Sequence, residues 1–387
     1  MRIFKLIAFS AVSIVLANCS KDDSPGSVST EECVVGRSAA SGSVIPGQYI
    51  IAYNPEVLSG STSPKVASEV GAGILEDHQI KKTSIRGSFA GDMDGIVAIL
   101  SDEELARLQK DPSISAIEPD RIIALGSCFT VVAPTLITWN VKKVGYGDGT
   151  GKTAWVLDTG IDFDHPDLNV DVNRSRSYLP DVTSADDENG HGTHVAGVIG
   201  AKNNTIGVLG VASGANLVSL RVLDKDGNGK LSYIIQALSY INANAKAGDV
   251  VNMSLGEDVT SDILDQQVQY TAGRGIFIAI AAGNDSKPAI QFSPGRANGQ
   301  NIFTVSAVDS LNNFASFSNY GNDAVDYAAP GVRILSTYID GKYARMSGTS
   351  MATPHVAGLL LLNGRNLHSS GTALNDPDGT PDPIAMK

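Results

Sequence analysis

The sequence is short of cysteine, of positive charge and of long apolar runs. Three cysteines in 387 residues exclude a fold stapled by many disulfides, as small secreted scaffolds are. Lys and Arg total 29 against 41 Asp and Glu, a formal net charge of −12. No long basic run offsets that balance. Nucleic-acid binding rests on neutralising phosphates with Lys and Arg, so the composition argues against any nucleic-acid partner. The apolar run near the N-terminus, Leu6 to Ala17, is shorter than the roughly 20 residues that a membrane-spanning helix needs. Glycine, by contrast, is abundant: 40 residues, a supply of tight turns and close backbone approaches. The length is that of about two to three domains, each large enough to bury its own core.

Arg2 and Lys5 beside the Leu6–Ala17 run form the basic start and short apolar segment of a secretory signal. The run continues into Leu16-Ala17-Asn18-Cys19-Ser20-Lys21-Asp22-Asp23. That stretch resembles a bacterial lipoprotein signal. The resemblance implies residues 1–19 as signal peptide, a lipid anchor on Cys19 and export to the cell envelope or surface. The alternative is an ordinary cleaved signal with an incidental cysteine and an extracellular product. With Cys19 lipidated, Cys33 and Cys128 either pair in an oxidising compartment or stand as two free thiols. Residues 20–43, rich in Ser, Gly and Asp, read as a flexible tether.

Residues 44–125 have a rhythm of their own. Strands are expected at 48–53, 74–80, 95–100 and 114–117, with helices at 64–70 and after 101. Ser101 and Glu104 make a capping box for the second helix, and Asp111-Pro112 stops it. The order β-α-β-β-α-β is a small α+β ferredoxin-like arrangement. From about residue 150 apolar strands alternate with helices. Strands are expected at 153–157, 216–222, 250–255, 276–282 and 302–308, and helices at 231–245 and 261–274. That is an α/β domain with a doubly wound, mostly parallel sheet covered on both faces. The polar tail after His368 is expected on the surface.

Four stretches carry chemistry. Thr153 to Asp162 delivers Asp158 from a buried strand into an Asp-Thr-Gly turn, and a buried carboxylate needs a task or a partner. An aspartic protease would need a second such turn, and the chain has one Asp-Thr-Gly and no Asp-Ser-Gly. Asn189 to Gly197 holds His191 and His194, three apart on one helical face. Zinc proteases space their pair four apart around a glutamate, which is missing. Ser350 opens an apolar helix within Gly348-Thr349-Ser350-Met351-Ala352. It is either a cap or a nucleophile where helix N–H groups favour a developing oxyanion. Asn284 follows Ala281-Ala282-Gly283 at the end of an apolar strand, where ligands gather in open α/β sheets.

Together, in the order Asp158, His191, Ser350, these stretches resemble the subtilase (peptidase S8) serine proteases, in particular the proteinase K-like branch. The likeness runs from about Trp139 to Leu362. It implies a secreted serine endopeptidase with Ser350 as nucleophile, His191 rather than His194 as proton shuttle, and Asp158 orienting it. Asn284 would be an oxyanion donor, and no cofactor is required for catalysis. Ile45-Pro46-Gly47-Gln48-Tyr49-Ile50, Ser101 to Leu108 and Ile117-Glu118-Pro119-Asp120 resemble the family's I9-type inhibitory propeptide. Residues 44–125 would then be an intramolecular inhibitor and 126–387 the catalytic domain, the mature enzyme beginning between Leu125 and Trp139. A Cys33–Cys128 bridge would keep the two linked after cleavage. Ser254, Leu255 and Gly256 resemble the strand that pairs with substrate backbone, and Gly227, Asn228 and Gly229 the opposite edge. Glu257 and Asp285 near the primary pocket would favour Lys or Arg there, or act as solvated rim charges. Asp224, Asp226, Asn228 and Gly229 begin like an EF-hand, but Ile235 stands where the bidentate glutamate belongs. A structural calcium at Asp326 is the remaining metal expectation.

Overall fold

The computed structural model describes residues 41–57, 63–91, 93–124, 130–131, 136–256 and 260–387. Cys19, Cys33, Cys128 and Glu257 lie outside these residues. So do the signal and most of the tether, and the anchor and disulfide readings fall there with them. Among the described residues no helix is long and apolar enough to cross a membrane.

The first group of elements is β1 (Val44–Tyr53), α1 (Pro64–Asp77), β2 (Ile85–Phe89), β3 (Gly95–Ile99), α2 (Asp102–Leu108) and β4 (Ile114–Ala124). The strand expected at 74–80 is instead the end of α1. Ala67, Gly71 and Leu75 are buried at a spacing of four, which is the stripe of a helix rather than the alternation of a strand. The strand comes later, at Ile85–Phe89. The capping box at α2 forms as expected, Ser101 Oγ accepting from the Glu104 amide and Glu104 from the Ser101 amide. The strands run antiparallel, with β1 between β3 and β4 and β2 outside β3. β1 uses both of its faces. Ile51 and Tyr53 join Ala67, Leu75 and Leu108 in a local core, while Ile50 and Ala52 enter a core shared with the larger sheet.

That larger sheet has nine strands. Their spatial order is His368–Thr372, Pro383–Met386, Tyr327–Pro330, Ile302–Val308, Phe277–Ala281, Val250–Met253, Thr153–Asp158, Asn216–Arg221 and Arg176–Ser177. Neighbours are parallel except the C-terminal pair. The helices are α3 (Trp139–Val144), α4 (His191–Gly200), α5 (Leu231–Asn244), α6 (Asp262–Gly273) and α7 (Thr349–Asn363). Side chains of the strand Thr153–Asp158 alternate between two cores. Ala154 and Val156 pack with α4 and α7, and Trp155 and Leu157 pack with α5 and α6. Burial on both faces explains why Ala154-Trp155-Val156-Leu157 is apolar throughout.

After Thr153–Asp158 the chain adds Asn216–Arg221 on one side and Val250–Met253 on the other. Such a reversal opens a crevice at the carboxyl ends of the strands. Asp158 ends one strand at that crevice and Ser254 follows the other. The tail differs from expectation. His368–Thr372 is exposed, but Pro383–Met386 joins the sheet beside Tyr327–Pro330. This buries Ala373, Asp382, Ile384 and Ala385. The small and large units also share a sheet edge, because β4 pairs antiparallel with Asn228–Lys230. Ala124 lies opposite Asn228, Ile123 opposite Gly229 and Ile122 opposite Lys230.

Candidate active site

Asp158 is wholly buried. Its Oδ1 accepts from the Thr159 amide at 2.8 Å and lies 2.8 Å from His191 Nδ1. A carboxylate accepts, so the proton on this imidazole sits at Nδ1 and Nε2 is left as the acceptor. Nε2 is buried with no hydrogen-bond partner among the described residues. Two glycines make the approach possible. A Cβ on Gly192 would lie 2.1 Å from the Gly160 carbonyl oxygen, and one on Gly160 2.7 Å from Asp187 Cα. Gly160 also holds φ of +126°, a conformation costly for residues with a Cβ.

Asp187, which the sequence reading passed over, ties this turn to the helix. Its Oδ1 accepts from Thr159 Oγ1 at 2.9 Å and the Asn189 amide at 2.9 Å. Its Oδ2 accepts from the Thr193 amide at 3.0 Å and Thr193 Oγ1 at 2.6 Å. One carboxylate thus fixes both the Asp158 turn and the first turn of α4. The available signal was Asp187 lying two residues before Asn189 in the histidine stretch. His194 has a different environment. Its Nε2 meets the Ile334 and Ala344 carbonyls at 2.9 and 3.2 Å, and burial pushes its pKa down to about 3. His355, also fully buried, is pushed down to about 4 and bonds Met351 O and Asn140 Nδ2. Both imidazoles are neutral supports of the core.

Ser350 is the second residue of α7. By position its amide has no partner inside the helix. Its hydroxyl donates to the Ser254 carbonyl at 3.0 Å and makes no hydrogen bond to His191 Nε2. α4 and α7 pack together over the strand Thr153–Asp158. Asn284 is anchored through its amide oxygen, which accepts from the Thr349 amide at 2.8 Å and Thr349 Oγ1 at 3.0 Å. That orientation makes Nδ2 the donor end of the side chain, opposite the end that meets Thr349.

Ser254 and Leu255 are buried and Gly256 half-buried after the strand Val250–Met253. Gly227 lies in a turn with φ of +79°, and Asn228 and Gly229 are on the strand that meets β4. The loop that begins like an EF-hand is closed by Asp224 Oδ1, which accepts the Asp226 and Asn228 amides, each at 2.9 Å. The Asp285 amide donates to Asn319 Oδ1. Asp326 is pushed up to about 6 by burial and accepts the Thr304 amide. Among the described residues no three acidic, His or Cys side chains gather to hold a metal.

The Subtilase family profile (peptidase S8) matches residues 149–369. The chain is 37% identical over 322 residues to the M-protease of Shouchella clausii, covering 81% of this chain and 80% of that protein. It is 35% identical over 374 residues to the extracellular serine proteinase of a Thermus species, covering 90% of this chain and 87% of that protein. A crystal structure of a cold-adapted subtilisin-like serine proteinase superposes with a TM-score of 0.57 at 34% identity, covering 65% of this chain and 98% of that one.

Proposed function

The chain belongs to the subtilase family and is a serine-type peptidase with a subtilisin-like α/β fold; on that premise we propose that it is an exported endopeptidase, proteinase K-like in kind, made as a self-processing zymogen. The observation that carries the catalytic reading is the buried Asp158–His191 pair, whose Nε2 is left as an acceptor. Ser350 attacks the scissile carbonyl while Nε2 takes its proton, then returns it to the leaving amine. Asp158 holds the tautomer and stabilises the imidazolium. Nδ2 of Asn284 and the Ser350 amide donate to the oxyanion. Nucleophilic attack requires Ser350 Oγ to leave the Ser254 carbonyl and turn to His191.

β4 supports the zymogen reading. It occupies the edge strand Asn228–Lys230 as an extended peptide would. Ile123 is fully buried there among α5 side chains. Glu118 accepts from Ser261 Oγ at 2.6 Å and from the amides of Asp262 and Ile263 at 3.0 and 3.3 Å, at the start of α6. Asp120 accepts from the Ser232 amide at 3.1 Å and Ser232 Oγ at 2.6 Å, at the start of α5. Two carboxylates of β4 thus meet two helix N-termini, where anions are favoured. Residues 44–125 are on this reading the inhibitor and protein substrates the partners. The extracellular placement follows the name of the Thermus relative and the signal-like N-terminus, Cys19 anchoring the product if lipidated.

The test is the chain without residues 1–19, expressed beside Ser350→Ala and followed for self-cleavage, casein hydrolysis and labelling by a serine-directed phosphonate. All three in the parent and none in the variant are expected. Hydrolysis or labelling surviving in Ser350→Ala would remove the nucleophile assignment. A parent that hydrolyses casein without self-cleavage would remove the zymogen.

A further inference from the structure

α7 contains a proline at position 354. Proline has no N–H, and its ring crowds the carbonyl four residues earlier. In α7 that carbonyl belongs to Ser350, so the proposed nucleophile sits on a peptide unit with no helical donor. A buried carbonyl without a partner is costly. The structure supplies one from another element. Ser254 Oγ donates to the Ser350 carbonyl oxygen at 2.8 Å. The hydroxyl's direction is set in turn, because Asn252 Nδ2 donates to the same Oγ at 2.9 Å. Asn252 and Ser254 are both fully buried and Ser350 is 3% exposed, so water does not substitute for any of these bonds.

We infer that the Ser254 hydroxyl is a positioning residue for Ser350, replacing the backbone donor that Pro354 removes. This rests on the reading of Ser350 as nucleophile. Ser254 grips Ser350 twice, the hydroxyl holding its main chain and the carbonyl receiving its side chain at 3.0 Å. The two contacts have different fates in the reaction. When Oγ turns to His191, the bond to the Ser254 carbonyl is given up. The bond from the Ser254 hydroxyl remains. It keeps the first turn of α7, and with it the Ser350 amide that donates to the oxyanion, from following the side chain. The contribution of Ser254 therefore lies in the transition state and not in holding substrate. It is distinct from any backbone pairing by residues 254–256.

The proline makes this testable by a double-mutant cycle. Pro354→Ala returns an N–H four residues after Ser350, so the Ser254 hydroxyl becomes dispensable in that background. Mature enzyme, Ser254→Ala, Pro354→Ala and the double variant are compared for kcat and KM on a peptide anilide, each normalised by phosphonate titration. Ser254→Ala is expected to lower kcat about tenfold, the size of one net hydrogen bond, with KM within about twofold. Added to Pro354→Ala, the same change is expected to cost less than about twofold. Ser254→Cys, with a weaker donor, is expected to fall between parent and Ser254→Ala. An unchanged kcat in Ser254→Ala, or the full tenfold loss in both backgrounds, overturns the inference. Phosphonate labelling of a Ser350→Ala control would overturn the underlying nucleophile assignment instead, so the two failures are distinguishable.

Discussion

His191 and His194 stand three residues apart on one helix, and their hydrogen bonds divide their tasks. His191 faces a carboxylate and keeps an Nε2 with no hydrogen-bond partner among the described residues. His194 is locked onto two backbone carbonyls at a pKa of about 3. Spacing alone could not separate them, because a helix puts residues three apart on one face; the family likeness chose His191. Asp187 had one mark in the sequence, its place two residues before Asn189; its role was not legible, since a buried carboxylate that accepts four hydrogen bonds reads in sequence like any acidic loop residue. At this scale the sharpest expectation concerns Asn284. Its amide oxygen is engaged by Thr349, so Asn284→Ala removes the opposite, donor end along with that anchor. A loss of about 10² to 10³ in kcat with little change in KM is expected, a magnitude carried over from subtilisin rather than deduced. Steady-state kinetics on a peptide anilide measures it. A kcat within about threefold of the parent would remove Asn284 from the oxyanion site.

Elements were legible where local chemistry and packing agree. The α2 cap is one case: Ser101 and Glu104 satisfy each other's amides without help from the rest of the fold. α1 is the opposite case. Its last turn, with Ile74 and Leu75, is apolar enough to pass for a strand, and only packing against β2 and β3 decides that Leu75 belongs to a stripe begun at Ala67. The strand Pro383–Met386 was hidden by polar neighbours, since four residues beside a ready sheet edge suffice once that edge exists. The element that invites mutation is β4. Glu118 and Asp120 act as caps supplied from outside to α6 and α5. Caps are worth about 1 kcal/mol each, with an added gain for a charge at a helix N-terminus. Replacing both by Ala is expected to weaken inhibition of the mature enzyme by residues 44–125 at least tenfold, read as an inhibition constant. An unchanged constant would show that backbone pairing alone holds β4 to its edge.

For the whole molecule, the alternation of buried strands with helices made the parallel sheet legible, because both faces are covered and the strands carry no polar side to confuse their reading. The packing of the small sheet over α5 and α6 was not, since Ile50, Ala52 and Ile123 look like core residues of either unit. A global pH dependence follows from the C-terminal closure of the large sheet. Asp382 is buried and bonded to Ser306, and its pKa is pushed up to about 7, first by burial and further by Asp376, Asp378 and Asp326. A folded-state value above the unfolded one means that the native state holds the proton more tightly. Its stabilising contribution is therefore complete below about pH 4 and lost as pH rises to about 7. Asp326, pushed up to about 6 by burial, acts in the same direction. Ser350→Ala protein carrying Asp382→Asn, which cannot ionise, is expected to lose less Tm between pH 5 and 8 than Ser350→Ala alone. Parallel melting curves across that range would refute the assignment to Asp382. The pairing of β4 with Asn228–Lys230 has a further consequence for the timing of activity. On the zymogen reading proposed above, while one chain carries both strands the inhibitor is present at an effective concentration in the millimolar range. After the connecting bond is cut, release is governed by dilution, and each liberated molecule can destroy the inhibitors of others. Onset in a population should then be delayed and self-accelerating, with a lag that shortens as total protein or added mature enzyme increases.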